Sequence, residues 1–511
     1  MPEGEEIGTV ISGMNSPSPS SVDFVVTKGV VHRGQFVELD YSEGKLVALV
    51  VDVFKTNRYF ERAEAVKEFE SSGRKLLESF PTGEWEYLVA QTRPLGIYVG
   101  NTTKRPTYPP SPGTKVKVAE AESLRKFLGL QEDGLHLGEV EYHSLPVKLN
   151  MSRLLKKHLA ILAMSGAGKS VATKVIIEEL LKRKTEQGRI GIVVMDAHGE
   201  YTSFAQPAKK GQTDYSSSTK IVKARDVKIG VPKLSLGLIA SIISGLSVPQ
   251  RRELEKILNK LRSEMKQGSG PFDLNAVKSE IFESDDTNEK TKSVLLSWIA
   301  SLEELNLFAK TDMPSISDLV RPGQLTVVDL SDVVNVKKKQ IIVSYFSQKL
   351  FNERMAKKVP PFFLVIEEAH QFAPAITREE SSISRRIIET IAREGRKFGA
   401  SLCLISQRPV NLSTTALANC NTHLILRVTN PYDLKHIGES SEGIDAKSQD
   451  MITSLRVGEG LLVGEAVNYP VFFRIRKNES PDSVHEQTLE EAAIAFEKGA
   501  EEEESEAEQF L

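Results

Sequence analysis

From His158 onward, short apolar runs alternate with stretches whose apolar residues recur every three or four positions. The runs Leu159–Met164, Arg189–Met195, Leu325–Leu330, Phe362–Ile366, Ser401–Ile405 and His423–Val428 read as strands buried on both faces. Such strands belong to parallel sheets covered by helices. After the first of them, Ser170–Lys184 sets Val171, Val175, Ile176, Leu180 and Leu181 at helical spacing. Residues 230–318 are helical and polar through Arg251–Lys266 and Asp285–Leu307, and read as an insertion within the α/β domain. Residues 1–145 differ. Ile7–Ile11, Val22–Val26, Gln35–Leu39, Lys45–Phe54, Trp85–Gln91 and Leu95–Val99 are short β-branched or aromatic runs separated by Gly, Ser, Asp and Pro. That spacing predicts a small barrel or sandwich. Thr103–Thr114 carries Pro106, Pro109, Pro110 and Pro112 and predicts a surface loop. The expected organisation is a β-rich domain (1–145), the first part of an α/β core (146–229), the helical insertion (230–318), the second part of the core (319–478), and a C-terminal helix with an acidic tail (479–511).

Composition narrows the setting rather than the fold. With 40% hydrophobic and 26% charged residues the chain is an ordinary soluble globular protein. Its longest apolar stretches, such as Leu46–Phe54, fall far short of the roughly 20 residues a membrane helix needs. No charged-then-apolar leader opens the chain. Cys403 and Cys420 make neither a disulfide framework nor a metal-ligand spacing, so a reducing, cytoplasmic setting away from membranes is expected. Six Glu lie in the last eleven residues; without them the net charge of −3 becomes +3. That is too mild to indicate nucleic-acid binding by itself, and the tail reads as a solvated, disordered end.

Chemistry concentrates at the carboxyl ends of the buried strands. Ser165-Gly166-Ala167-Gly168-Lys169-Ser170-Val171 lies between a strand and a helix, where converging backbone N–H groups, an ammonium and a hydroxyl can hold a triphosphate with Mg²⁺. Ala163 stands where the full phosphate-loop pattern has Gly. Phe362–Ile366 ends in Glu367 and Glu368. Glu367 is expected to hold Mg²⁺ through water, and Glu368 to polarise the attacking water. Asp196, in Asp196-Ala197-His198-Gly199-Glu200-Tyr201, follows a strand expected beside the phosphate-loop strand and is a further metal candidate. His198 has no Cys or His partner at zinc spacing. Ser384–Phe398 reads as a helix capped by Gly399, with Arg386, Arg393 and Lys397 on one stripe and Ile387, Ile388 and Ile391 on the other. The stripe is either a solvated basic face or the source of an arginine finger. Gln407, after the next strand, is placed to sense the γ-phosphate.

These residues resemble the HerA branch of the HerA–FtsK superfamily of hexameric DNA-pumping ATPases. The likeness is carried by the phosphate loop, D-A-H-G-E-Y, E-E-A-H-Q-F-A-P, A-R-E-G-R-K-F-G, I-S-Q-R-P and G-E-G-L-L-V-G-E-A, over about 140–475. It implies an α/β fold with a RecA-like P-loop ATPase core, an N-terminal small β-barrel, ATP and Mg²⁺ as cofactors, and a homohexameric ring. It also implies sequence-independent passage of double-stranded DNA and a NurA-type nuclease partner in end resection. By position it makes Arg393 the trans-acting arginine, with Arg396 second, and Lys169, Glu368, Arg393 and Gln407 the catalytic set. Glu367 replaces the commoner Asp. Lys209, Lys210 and Arg378 are candidate DNA contacts. Two competing readings are a conjugation or secretion ATPase working at a membrane and a nucleotide-gated scaffold that hydrolyses little.

Overall fold

The computed structural model describes residues 3–13, 16–57, 60, 63–72, 85–99, 102–243, 245–284, 287–375, 383–441 and 443–482, with 489–491, 493, 494 and 497. The described chain forms two compact units. The first comprises Met1–Arg153, Leu424–Thr429 and Ser441–Arg476; the second comprises Leu154–His423, Asn430–Ser440 and Lys477–Leu511.

In the first unit, seven strands form one antiparallel sheet. They are β1 (Glu6–Val10), β2 (Val22–Val26), β3 (Phe36–Tyr41), β4 (Gly44–Asn57), β5 (Glu86–Val99), β6 (Thr102–Lys104) and β7 (Lys115–Val118). Their order is β2-β1-β7-β3-β4-β5-β6, and β2 also pairs with β5. Six antiparallel strands therefore close on themselves, which removes exposed sheet edges. Of barrel and sandwich, the structure selects the barrel. Val22, Phe24, Val37, Leu39, Leu46, Ala48, Val50, Val116 and Val118 fill it. The runs expected at Trp85–Gln91 and Leu95–Val99 are a single strand. Pro94 sits opposite Ala48, beside a register shift at Val47/Ala48, where a missing N–H is tolerated. Thr103 and Lys104 pair with Tyr98 and Ile97, so the proline loop begins after them. The rest of this unit includes β8 (Leu135–Val140), β9 (Pro146–Leu149) and the later strands Glu459–Gly464 and Val471–Ile475, all antiparallel.

The second unit holds β10 (Leu159–Leu162), β11 (Gly191–Asp196), β12 (Thr219–Lys223), β13 (Ile229–Gly230), β14 (Phe308–Ala309), β15 (Leu325–Asp329), β16 (Phe362–Ile366) and β17 (Ala400–Ser406). Six of these make a parallel sheet in the order β12-β15-β11-β16-β17-β10. Every residue of β10, β11, β15, β16 and β17 is buried. This order corrects one expectation. Asp196 does not end the neighbour of the phosphate-loop strand, because β17 and β16 lie between β10 and β11. Parallel strands are joined by crossovers, so chain order does not give spatial order.

Ahead of the phosphate loop, the chain runs straight off β10. Ala163 is fully buried and its N–H donates to Ser406 O at 3.2 Å, so it extends the ladder between β10 and β17. The expected helix after the loop is Lys169–Leu181. The amphipathic helix after β16 is Arg385–Phe398, with Ile387, Ile388 and Ile391 buried and Gly399 in the left-handed region (φ 71°) as its cap. A twenty-residue helix, Val336–Met355, does not stand out in the pattern of the chain. Its buried face includes Gln340, Ser344 and Ser347, which blurs the apolar stripe. The insertion is built on helices Val248–Glu264, Leu274–Glu283 and Glu289–Glu304, and β13 pairs with β14 at its base. Among the described residues no helix is long and apolar enough to cross a membrane.

Candidate nucleotide site

The phosphate loop depends on two glycines with positive φ, Gly166 (74°) and Gly168 (104°). Nothing lies within 4 Å of where a Cβ on Gly166 would stand. Its glycine is therefore required by backbone conformation rather than by crowding. Lys169 is the first residue of its helix, after Gly168 at the cap, and its Nζ donates to Met164 O at 3.2 Å, across the mouth of the loop. Burial pulls its pKa down, while Glu368, Glu200 and Glu367 pull it up. Ser170 Oγ donates to a Glu200 carboxylate oxygen.

Asp196 is a buried hub for the turn after β11. Its Oδ1 accepts N–H groups from His198 (3.3 Å), Gly199 (2.8 Å) and Glu200 (3.1 Å), and its Oδ2 accepts that of Tyr201 (2.9 Å). Glu367 Oε2 accepts the N–H groups of Ala197 (2.9 Å) and His198 (3.2 Å). Glu367 also shares a hydrogen bond with Asp196; burial and that carboxylate hold its pKa well above the ordinary range. Through these bonds Asp196 and Glu367 together shape the turn. Glu200, the carboxylate that the turn delivers to Ser170, was not among the expected ligands. Among the described residues no group of three or more His, Cys, Asp or Glu side chains could cage a metal ion. A hydroxyl and one carboxylate nonetheless suit Mg²⁺, which takes the rest of its shell from phosphates and water.

Glu368 adopts the left-handed conformation (φ 48°, ψ 45°), uncommon for a residue with a Cβ. From this turn the carboxylate acts on Lys169 of the phosphate loop. Burial raises its pKa; Lys169 and His198 oppose that shift, Glu200 adds to it, and a hydrogen bond with Gln407 lowers it again. His370 Nδ1 lies 3.2 Å from Glu368 Oε2 and 3.2 Å from Ser406 Oγ. The contact to Glu368 lacks hydrogen-bond alignment, and Oε2 has no hydrogen-bond partner among the described residues. A buried carboxylate with a raised pKa and one free oxygen is equipped to take a proton from water.

The tertiary structure thus brings Lys169, Ser170, Glu368 and Gln407 together and adds Glu200, His198 and His370, while Asp196 and Glu367 bond to the backbone of the turn beside them. A motif of contiguous residues signalled Glu200, but nothing in it distinguished Glu200 from Asp196. Arg393 is about half exposed on its helix, with Glu389 Oε2 4.0 Å away, and Arg396 is exposed beside it. Lys209 and Lys210 are exposed on the loop after the β11 turn. Arg378 lies outside the described residues, as does the acidic tail.

Comparison with known proteins bears on the family and the fold. The family described as "Helicase HerA, central domain" matches residues 135–350. A probable helicase of Methanocaldococcus jannaschii is 27% identical over 468 residues, covering 87% of this chain and 86% of that protein. The DNA double-strand break repair helicase HerA of Saccharolobus solfataricus is 26% identical over 503 residues, covering 93% and 95%. Its namesake from Pyrococcus furiosus is 27% identical over 529 residues, covering 92% of each chain. Among solved structures, VirB4 of Thermoanaerobacter pseudethanolicus aligns with a TM-score of 0.54 at 16% identity, over 68% of this chain and 97% of that one. At that identity the likeness is one of fold, and it bears out the α/β P-loop ATPase core.

Proposed function

The chain belongs to the HerA-type helicase family, and we propose that it is an ATP-hydrolysing motor that translocates double-stranded DNA. The observation that carries this reading is the position of Glu368, buried, left-handed and within the electrostatic reach of Lys169, with Gln407 bonded to it. A chain that only binds nucleotide needs the phosphate loop but not a poised carboxylate with a free oxygen.

In this reading Lys169 leaves the Met164 carbonyl for the β- and γ-phosphates. The amides of Ser165 to Val171 surround the phosphate chain. Ser170 and Glu200 would hold Mg²⁺, which supplies charge neutralisation of the phosphate oxygens. Glu368 accepts a proton from the attacking water as its oxygen approaches the γ-phosphorus, and Gln407 switches its hydrogen bond from Glu368 to the γ-phosphate. Arg393, exposed and loosely paired, reaches the ATP of an adjoining subunit in a homohexamer. Double-stranded DNA is held through its phosphates without base reading, and a NurA-type nuclease acts on the DNA that the motor delivers.

The test is the ATPase rate with and without linear duplex DNA, alongside a mass measurement in solution. A rate that rises with DNA and a ring-sized mass are expected. A monomer indifferent to DNA overturns the reading.

A further inference from the structure

The helix Val336–Met355 leaves the carboxyl end of β15 through a segment that the nucleotide site does not use. Val334 is 95% exposed at the tip of the loop, and Val336 is 50% exposed in the first helical turn. A lone exposed valine needs no explanation, but these two lead into Lys337, Lys338 and Lys339. Three lysines in a first turn oppose the helix dipole, whose positive end lies there. The acids of β15 and its loop whose charge reaches Lys338 and Lys339 are Asp329 and Asp332, two against three lysines. Asp329 Oδ1 accepts from the Ser331 N–H (3.0 Å) and hydroxyl (2.6 Å). Asp332 Oδ2 accepts from the Arg225 N–H at 3.3 Å and lies 3.9 Å from Arg225 Nε. Lys228, whose charge acts on Lys338, is held only by neutral acceptors, Asn306 O (2.9 Å) and Oδ1 (2.7 Å). The surface therefore keeps an excess of positive charge around an apolar tip.

Lys339 and Gln340 bond inward, to the turns beside the hydrolysis site. Lys339 Nζ donates to Ala197 O at 3.3 Å, and the Ala197 N–H donates to Glu367. Gln340 Nε2 donates to Gln371 O at 2.9 Å, in the short helix Ala369–Phe372 directly after Glu368. One helical turn thus holds the ends of both acid-bearing strands while presenting two lysines outward.

We propose that loop 331–335 with Lys337 and Lys338 grips the phosphate backbone of duplex DNA, and that Lys339 and Gln340 transmit that grip to Glu367 and Glu368. The proposal rests on the DNA-motor reading above. Opposite charge selects the phosphates, and the apolar tip accommodates the sugar edge without reading bases.

The experiment uses the full chain, duplex-DNA binding between 50 mM and 200 mM salt, and ATPase titrated with the same DNA. A wild type that neither binds nor responds to DNA overturns the motor reading itself. Given a responsive wild type, the Lys337→Ala/Lys338→Ala double variant loses two phosphate contacts. Its log Kd against log salt should be shallower by about 2, so over that salt range its affinity falls about tenfold less than that of wild type. An unchanged slope overturns the loop assignment. Lys339→Met should bind ATP and DNA like wild type yet lose stimulation, and Lys339→Arg should restore part of it. Stimulation retained in Lys339→Met overturns the link, as does stimulation lost only in proportion to DNA affinity. Gln340→Ala repeats the measurement should Lys339→Met fail to fold.

Discussion

Replacing Glu368 with Gln tests the hydrolysis site with little change of shape. The amide fits the same space and retains a bond to Gln407, but it cannot accept a proton. The native side chain is 5% exposed and its Oε2 has no hydrogen-bond partner among the described residues. A positioned base contributes about 10²–10⁴-fold, or roughly 3–5 kcal/mol of barrier, so turnover should fall by two to four orders of magnitude. ATP binding should hold or tighten, because one of the negative charges around Lys169 is gone while that of Glu200 remains. The pH profile adds a second signature. With the pKa of Glu368 raised by burial, the base is lost on acidification above the ordinary carboxylate range. The wild-type rate should therefore fall about tenfold per unit below that pKa, and the residual rate of Glu368→Gln should show no such limb. Single-turnover hydrolysis of pre-bound ATP separates this step from binding and release. Turnover near the wild-type rate, or the same acid limb in the variant, would refute the assignment of Glu368 as base.

Arg393→Ala should leave ATP binding intact and lower turnover by about 10³–10⁵-fold, the scale of an arginine finger. Mixing it with Glu368→Gln subunits should restore some activity, and no rescue at any ratio counts against action in trans. Glu200→Gln should raise the Mg²⁺ concentration needed for half-maximal turnover while leaving the melting temperature near that of wild type; an unchanged requirement refutes the Glu200 role. Asp196→Ala, which strips four backbone N–H groups of their acceptor, should lose several kcal/mol in urea unfolding, at about 1.5–3 kcal/mol per charged hydrogen bond; wild-type stability in that variant would show that Asp196 is no hub. His143, His158 and His423 are buried and neutral, their pKa lowered from 6.5 to about 4. Between those values the unfolded chain binds protons that the folded chain refuses, so stability should drop as pH falls from 6.5 to 4. The loss is on the order of 3 kcal/mol per histidine. Urea midpoints that match at pH 7 and pH 5 would contradict this.

What could be read along the chain was whatever depends on neighbouring residues. Gly166 to Ser170 declare a phosphate loop because its amides, ammonium and hydroxyl come from consecutive positions. The unbroken apolar run of Phe362–Ile366 and the stripe of Ile387, Ile388 and Ile391 declare a buried strand and a half-buried helix for the same reason. The order of strands could not be read this way, since crossovers leave spatial neighbours undetermined; β17 lies between β10 and β16, and β11 beyond β16. Nor could the division of labour among acids. Asp196 and Glu200 share one turn, and Glu367 and Glu368 are adjacent, yet Asp196 and Glu367 are bonded by backbone amides of the turn while Glu200 meets Ser170 and Glu368 meets Gln407. That outcome follows from backbone amides competing for buried carboxylates and from the left-handed turn at Glu368, which only the assembled sheet imposes. The helix Val336–Met355 stayed hidden for a related reason. Its polar residues are buried against partners distant in sequence, so its pattern follows the packing of the whole unit rather than a local period.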